Sequence, residues 1–176
     1  GGAFWIALQA LRRVMRAYDR RLPEDQVLLE AVKSYFNVVD PSELIPLIYK
    51  TPLDRGYIGG FSKTIGTLAD QGHGASQEIL ADAGRQLGRL AVSALAELGL
   101  TKTEGRVAAC GGVFSAGRWV LVPMEEEIRL AAPRQRLTLP DFNAAAGAVF
   151  LAARHLCLEL SPVAEGLRES SSHGVA

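Results

Sequence analysis

The sequence has few cysteines, no excess of charge of either sign and no long apolar run, and each absence narrows the range of functions. Its 19 basic and 19 acidic side chains give a formal net charge of zero, so an electrostatic preference for nucleic acid or an anionic membrane is not expected. The two cysteines, Cys110 and Cys157, lie far apart; they lack metal-ligand spacing and favour a reducing compartment. No uninterrupted apolar stretch is long enough to span a bilayer. We therefore expect a cytoplasmic protein with neither a nucleic-acid nor a membrane partner.

Catalytic constellations are also missing from the sequence. The histidines at positions 73, 155 and 173 have no partner at ligand spacing, and the carboxylates of residues 125–127 are consecutive, so they fan around a helix. No Ser-His-Asp or Cys-His arrangement can be argued. The glycine-rich segment 110–117 has neither the Gly-Lys-Ser/Thr of a P-loop nor the glycine spacing of a dinucleotide fold. We predict no catalytic residue and no metal ligand in this chain.

Helical periodicity dominates residues 1–104, which we interpret as one helical region. Asp40-Pro41-Ser42-Glu43 has the pattern of a capping box at a helix start. Apolar residues repeat at helical spacing in segments that begin near residues 4, 23, 55 and 76, and Gly99 suits a C-terminal stop. The apolar stripes that we expect to face the core are Phe4, Leu8, Leu11, Met15 and Tyr18 in the first helix, Ile58, Phe61, Ile65 and Leu68 in a helix over 55–71, and Leu80, Ala83, Leu87, Leu90, Ala94 and Leu98 in a helix over 76–98.

After Gly105 the pattern changes to short strands that alternate with helices, over residues 105–160. The predicted order is a strand at 106–110, a helix at 117–131 kinked or restarted at Pro123, a strand at 136–140 and an alanine-rich helix capped by Asp141. Two strands alone do not form a stable sheet. They are therefore expected to pair either with an upstream sheet or with a second copy in a homodimer. Residues 161–176 are polar and are predicted to be a disordered tail.

Two glycine features are candidate binding elements. Gly111-Gly112 follows a predicted strand, where backbone amides can face an anion or approach a flat ring. In the helix that begins at Arg55, a face made of Gly56, Gly59, Gly60 and Lys63 lies opposite the apolar stripe. A neighbouring helix or an adenine ring could lie on such a bare face. Spacing alone favours tight turn geometry at the first feature and helix packing at the second.

The order of motifs along nearly the whole chain resembles the N-acetylglucosamine kinases and related activator-type ATPases. Residues 1–7 resemble the segment that follows a Gly-Asp-Glu motif in that family. The similarity continues through Gly60-Phe61 and Gly111-Gly112-Val113-Phe114 and ends in the Gly-Ala helix of residues 144–148. The helical insert is more similar to the sugar kinases than to the short activator ATPases.

This resemblance implies an α/β, helix-rich fold: part of the second ribonuclease-H-like lobe of an actin-like ATPase or sugar kinase, with an inserted helical region. It implies phosphoryl transfer from Mg²⁺-ATP to a sugar hydroxyl, with the base, the phosphate loop and the magnesium ligands upstream of Gly1. The chain would then be a C-terminal fragment that is inactive alone. Gly111, Gly112 and Ala116 match the adenosine motif, and Gly59 and Gly60 match the helix on the other side of the base.

The sequence departs from the family pattern at several positions, and other functions stay open. His73 stands where relatives commonly carry Asp, which weakens a helix cap, and Ala116 stands where some relatives have a hydroxyl. Cys110 and Cys157 do not resemble a cluster-binding pair. The first alternative is a fragment of an activator or regulator ATPase that drives a partner protein. The second is a non-catalytic helical interaction domain.

Overall fold

The computed structural model describes residues 1–49 and 54–172, which divide into two units. The first unit comprises Gly1–Val107 and Gly111–Leu137; the second comprises Ala108–Cys110 and the described chain from Thr138. The described helices are α1 (Ala3–Tyr18), α2 (Gln26–Phe36), α3 (Leu44–Tyr49), α4 (Arg55–Gly60), α5 (Ser62–Asp70), α6 (Gly74–Glu97), α7 (Arg118–Ala131), α8 (Ala144–His155) and α9 (Leu160–Ser172). Strands β1 (Gly105–Ala108) and β2 (Gln135–Thr138) form a two-stranded parallel sheet, and short 3-10 helices cover Pro41–Glu43 and Gly112–Ala116. The predicted helix-rich α/β class is therefore confirmed.

Helix α1 lies at the centre of the first unit, but its buried face differs from the predicted one. The buried residues are Ile6, Ala7, Ala10, Leu11 and Val14. Tyr18, which we placed on the apolar stripe, is 48% exposed. The two alanines explain the error, because small residues permit close helix contact while adding little to a hydrophobic pattern.

Both predicted starts in the segment after α1 have a cap in the structure. The Asp25 side chain accepts a hydrogen bond from the Leu28 amide at 3.1 Å, so α2 begins at Gln26, three residues after the predicted position. Asp40 and Glu43 form the reciprocal bonds of a capping box around Pro41, which confirms the pattern in the sequence.

The helix predicted over residues 55–71 is two helices, which is a correction. Phe61 ends α4 and begins α5, and its amide turns back to the Ile58 carbonyl at 3.2 Å. Two glycines directly before Phe61 lower the helix propensity at the break. Ile58, Phe61 and Ile65 are nevertheless all buried, as their spacing predicts.

Helix α6 has the predicted position and ends before Gly99, whose φ of +69° suits a residue without a side chain. Its buried seam is only partly the predicted one, because Leu90 and Leu98 are 68% and 69% exposed. Gly84 and Gly88 face α7 instead. A Cβ at Gly88 would lie 2.9 Å from the Met124 carbonyl oxygen, and one at Gly84 would meet the backbone of Val120. Helix α7 runs through Pro123 without a restart.

The second unit corrects two predictions. Asn143, and not Asp141, caps α8: its side chain accepts from the Ala146 amide at 2.9 Å. Residues 161–172 are helical in α9, where a disordered tail was predicted, and residues 173–176 with His173 lie outside the described residues. Across residues 1–49 and 54–172, no helix combines the length and apolarity needed to cross a membrane.

Candidate functional site

A groove of about 710 Å³ in the first unit brings the two glycine features together. Its walls come from the start of α1, from α4 and α5, and from the Gly112–Ala116 turn. Among the predicted site residues, Gly59, Gly60, Gly112 and Ala116 line it, as does Gly56; Gly111 is not part of its lining. The separation in sequence between positions 56–60 and 112–116 is therefore bridged by the fold.

The wall formed by α4 lies against other helices as well as the groove. A Cβ built on Gly59 would lie 3.4 Å from the Phe4 amide nitrogen and 3.6 Å from its Cα. One built on Gly60 would collide with the Tyr35 hydroxyl. The absence of side chains at these two positions lets α4 approach α1 and Tyr35 closely. On the sides where Gly59 and Gly60 would carry a Cβ atom, the packing interpretation is therefore supported.

An aromatic cluster holds α4 in place. The rings of Tyr35, Phe36, Tyr57 and Phe61 form five contacting pairs with centroids 4.9–5.7 Å apart, in tilted, edge-on and stacked arrangements. Such pairs stabilise the fold by more than the burial of their apolar area alone. Burial raises the pKa of Tyr35, and the nearby Tyr57 and Asp54 raise it further. The Tyr35 hydroxyl therefore remains protonated and able to donate over a wide pH range.

A second wall is the Gly112–Ala116 turn. Gly111 and Gly117 flank it with φ values of +126° and +58°, conformations that favour glycine. The start of α7, which follows this segment, is joined to α5 because the Trp119 indole Nε1–H donates to Asp70 Oδ1 at 2.8 Å. A Cβ on Gly112 would meet nothing within 4 Å, so the backbone there is open.

Two cations and one anion line the groove. The Arg55 guanidinium lies over the Phe4 ring, 4.9 Å from its centroid. Lys63 has no carboxylate within ion-pairing distance in the part of the chain that the structure describes. The Asp70 carboxylate is engaged by Trp119. The lining is therefore cationic overall, although the whole chain is neutral.

A second, smaller cavity of about 290 Å³ lies near the end of α1 and is a weaker candidate. Several of its charged side chains already have protein partners: Arg13 Nη1 donates to Glu78 Oε2 at 2.9 Å, and Asp40 Oδ1 accepts from the Ser42 amide at 2.9 Å. A ligand here would have to displace bonds that the fold already makes.

Sequence reasoning missed a hydrogen-bonded chain from Ser76 through His73 to Asp25. His73 Nδ1 lies 2.8 Å from Ser76 Oγ, and Nε2 lies 3.0 Å from Asp25 Oδ1. The neutral tautomer with its proton on Nε2 satisfies both bonds, because Nε2–H donates to Asp25 and Nδ1 accepts from the hydroxyl. No Ser-His-Asp arrangement could be argued from the sequence, and only the fold brings these three side chains into one hydrogen-bonded chain.

This Ser-His-Asp chain has the features of a structural hydrogen-bond network and not those of a catalytic triad. Ser76 has no exposed surface, so its hydroxyl cannot reach a substrate. Ser76 lies three residues after His73 at the start of α6, so this bond could have been predicted from the sequence. Asp25 is 48 residues away from His73, and only the fold brings it near.

No protein-family model matches the sequence. A functional proposal for this chain therefore rests on the groove and on the motif resemblance described above.

Proposed function

We propose that the groove is the adenosine-binding wall of an ATP-dependent amino-sugar kinase, to which this chain contributes a C-terminal part. In this proposal β1, β2 and the helices around them belong to the second ribonuclease-H-like lobe, and α1–α6 supply the helical insert. ATP, bound with Mg²⁺, would supply the phosphoryl group for an amino-sugar hydroxyl. The residues named here would only position the nucleotide.

One observation carries the proposal: the two glycine features identified separately in the sequence line the same groove. Its volume of about 710 Å³ lies in the range of roughly 300–1,000 Å³ that is usual for small-molecule sites. The open backbone at Gly112 is suited to a flat ring, because no Cβ occupies the space above it.

The chain's own contribution to catalysis would be orientation. Phosphoryl transfer depends mainly on positioning and on neutralising charge. Gly59, Gly60, Gly112 and Ala116 would face the adenosine, with Gly111 shaping the turn from outside the groove. None of these residues has a side chain that can exchange a proton. This agrees with a binding role, and the proposal assigns no catalytic base to this chain.

The non-catalytic alternative is favoured by the contacts of Gly59 and Gly60. Both positions have packing partners, Phe4 and Tyr35, which would account for the glycines without a ligand. In that case the chain is a helical interaction domain, and the groove has no nucleotide to bind.

Adenosine titration of the 176-residue chain, followed by NMR, separates these two functions. We expect adenosine to shift amide resonances around the groove and Gly112→Val to weaken its affinity by roughly tenfold, because the branched side chain fills open space. Gly74→Val is the matched control, since its Cβ would also meet nothing within 4 Å and it does not line the groove. Equal adenosine binding by both variants, or none by the unsubstituted chain, would contradict the proposal.

Activity is measured separately. The purified chain is expected to form no ADP from ATP and N-acetylglucosamine above background, because it holds no predicted base. Turnover by the chain alone would show that a catalytic group has been overlooked.

A further inference from the structure

We infer that Lys63 and Arg55 form an anion subsite of the groove, so that its ligand is a phosphorylated nucleotide and not a free nucleoside. This inference deepens the proposed function by naming residues that would contact phosphate. It is carried by the charged side chains that line the groove.

The first step is the pairing of charges. Some cations of the first unit have carboxylate partners, such as Arg13 with Glu78 at 2.9 Å and Arg89 with Glu127 at 3.4 Å, and others have none among the described residues. Lys63 has none among residues 1–49 and 54–172, although it lines a concave surface. A cation without a counter-ion in a concave surface raises the local concentration of anions.

The second step is the position of Lys63 relative to the glycine face. It follows Gly59 and Gly60 by four and three residues, a spacing that places residues on one side of a helical segment, and all three line the groove across the break at Phe61. An anion bound by the lysine therefore lies next to the surface proposed for adenosine.

The third step is the geometry of Arg55. Its guanidinium carbon lies over the Phe4 ring, 4.9 Å from the centroid. No hydrogen bond or ion pair of the Arg55 side chain is found among the described residues, so its N–H groups remain available as donors. Lys63 adds a compact charge with three donors, so the pair matches phosphate oxygens better than an uncharged ribose or base.

The single carboxylate of the lining does not cancel this preference. Asp70 already accepts from Trp119 Nε1 at 2.8 Å. With two cations and one anion along the lining, the groove retains a net charge of +1. Phosphate groups are therefore the ligand chemistry that the groove's charges favour.

Titrations of the 176-residue chain with adenosine, ADP and tripolyphosphate test the subsite. We expect ADP to bind more tightly than adenosine and the difference to shrink as salt is raised. Lys63→Gln and Arg55→Gln should each weaken ADP and tripolyphosphate by about two- to fivefold, the range for an exposed ion pair, and leave adenosine unchanged. Lys102→Gln and Arg12→Gln are matched controls because both residues are exposed and neither lines the groove.

The results separate this inference from the proposed function. Equal affinities for adenosine and ADP, unchanged in Lys63→Gln, would overturn the anion subsite and leave the adenosine wall standing. Tripolyphosphate binding that depends on Lys63, without any adenosine binding, would keep the subsite and remove the adenosine wall. Anion binding that responds equally to Lys102→Gln would reduce the subsite to nonspecific charge attraction.

Discussion

Tyr35 and Tyr57 hydrogen-bond to each other's backbone. The Tyr35 hydroxyl donates to the Tyr57 carbonyl oxygen at 2.8 Å, and the Tyr57 hydroxyl donates to the Tyr35 carbonyl oxygen at 3.2 Å, while the two rings stack with centroids 5.6 Å apart. This reciprocal pair joins α2 to α4 and so holds the glycine face of the groove.

Tyr35→Phe should therefore lower the free energy of unfolding by about 1 kcal/mol, because the ring remains and only the hydroxyl donor is lost. Tyr57→Phe removes the longer bond from a more exposed residue and is expected to cost less. Urea denaturation of both variants measures the difference. Equal stability of Tyr35→Phe and the unsubstituted chain would show that the bond contributes nothing net.

The contact between α6 and α7 gives a second prediction. Gly84→Ala should destabilise the chain by about 1–3 kcal/mol, because the added methyl group meets the Val120 backbone in a packed interface. Gly66→Ala is the matched control in α5: its Cβ meets nothing within 4 Å, and removing a helical glycine should stabilise by roughly 0.5–1 kcal/mol. If both substitutions changed stability alike in thermal melts, the helices would not be in the contact that the structure shows.

The contact at Gly84 also shows which parts of the fold the sequence could and could not predict. Spacing placed most of the helices, the capping box at Asp40 and the stop at Gly99, because propensity and capping are local. It assigned Leu90 to the core of α6 and overlooked Gly84, since a hydrophobic pattern scores side chains and cannot register a contact made by backbone. The break at Phe61 was missed for a related reason: the apolar spacing continues across it.

The candidate site, like the fold, could be predicted from the sequence only in its local parts. The glycine face and the turn were each visible locally, and their meeting in one groove required the fold. His73 illustrates the limit, because its bond to Ser76 spans three residues while its bond to Asp25 joins distant segments.

A double-mutant cycle tests the His73 chain. His73→Asp introduces a potential N-cap for α6 but places a carboxylate near Asp25, so the free energy of unfolding should fall by roughly 2 kcal/mol. In an Asp25→Asn background, which retains a good cap for α2, the same substitution should cost about 1 kcal/mol less because the repulsion is gone. Additive effects in urea denaturation would mean that the two side chains do not interact.

Acid sensitivity provides a prediction for Asp40. Hydrogen bonds from the Ser42 side chain and amide hold the pKa of Asp40 below its usual value of 3.8. A lowered pKa in the folded state means that the carboxylate stabilises the fold above pH 3.8 and that this contribution disappears as the pH falls through the folded-state pKa. Asp40→Asn should thus melt at a lower temperature than the unsubstituted chain at pH 7, with the gap closing below about pH 4. A gap that stays constant with pH would rule out this titration.

The close approach of α7 to α6 has a mechanical consequence. At Gly84 and Gly88 no side chain of α6 lies between the two helices, so no side chain there can adjust to accommodate a small displacement of α7. The Gly112–Ala116 turn leads into α7 through Gly117, and α6 has 24 residues, a rod about 36 Å long. A displacement of α7 would therefore require either that α6 move with it or that the backbone contact between Gly84 and Val120 open.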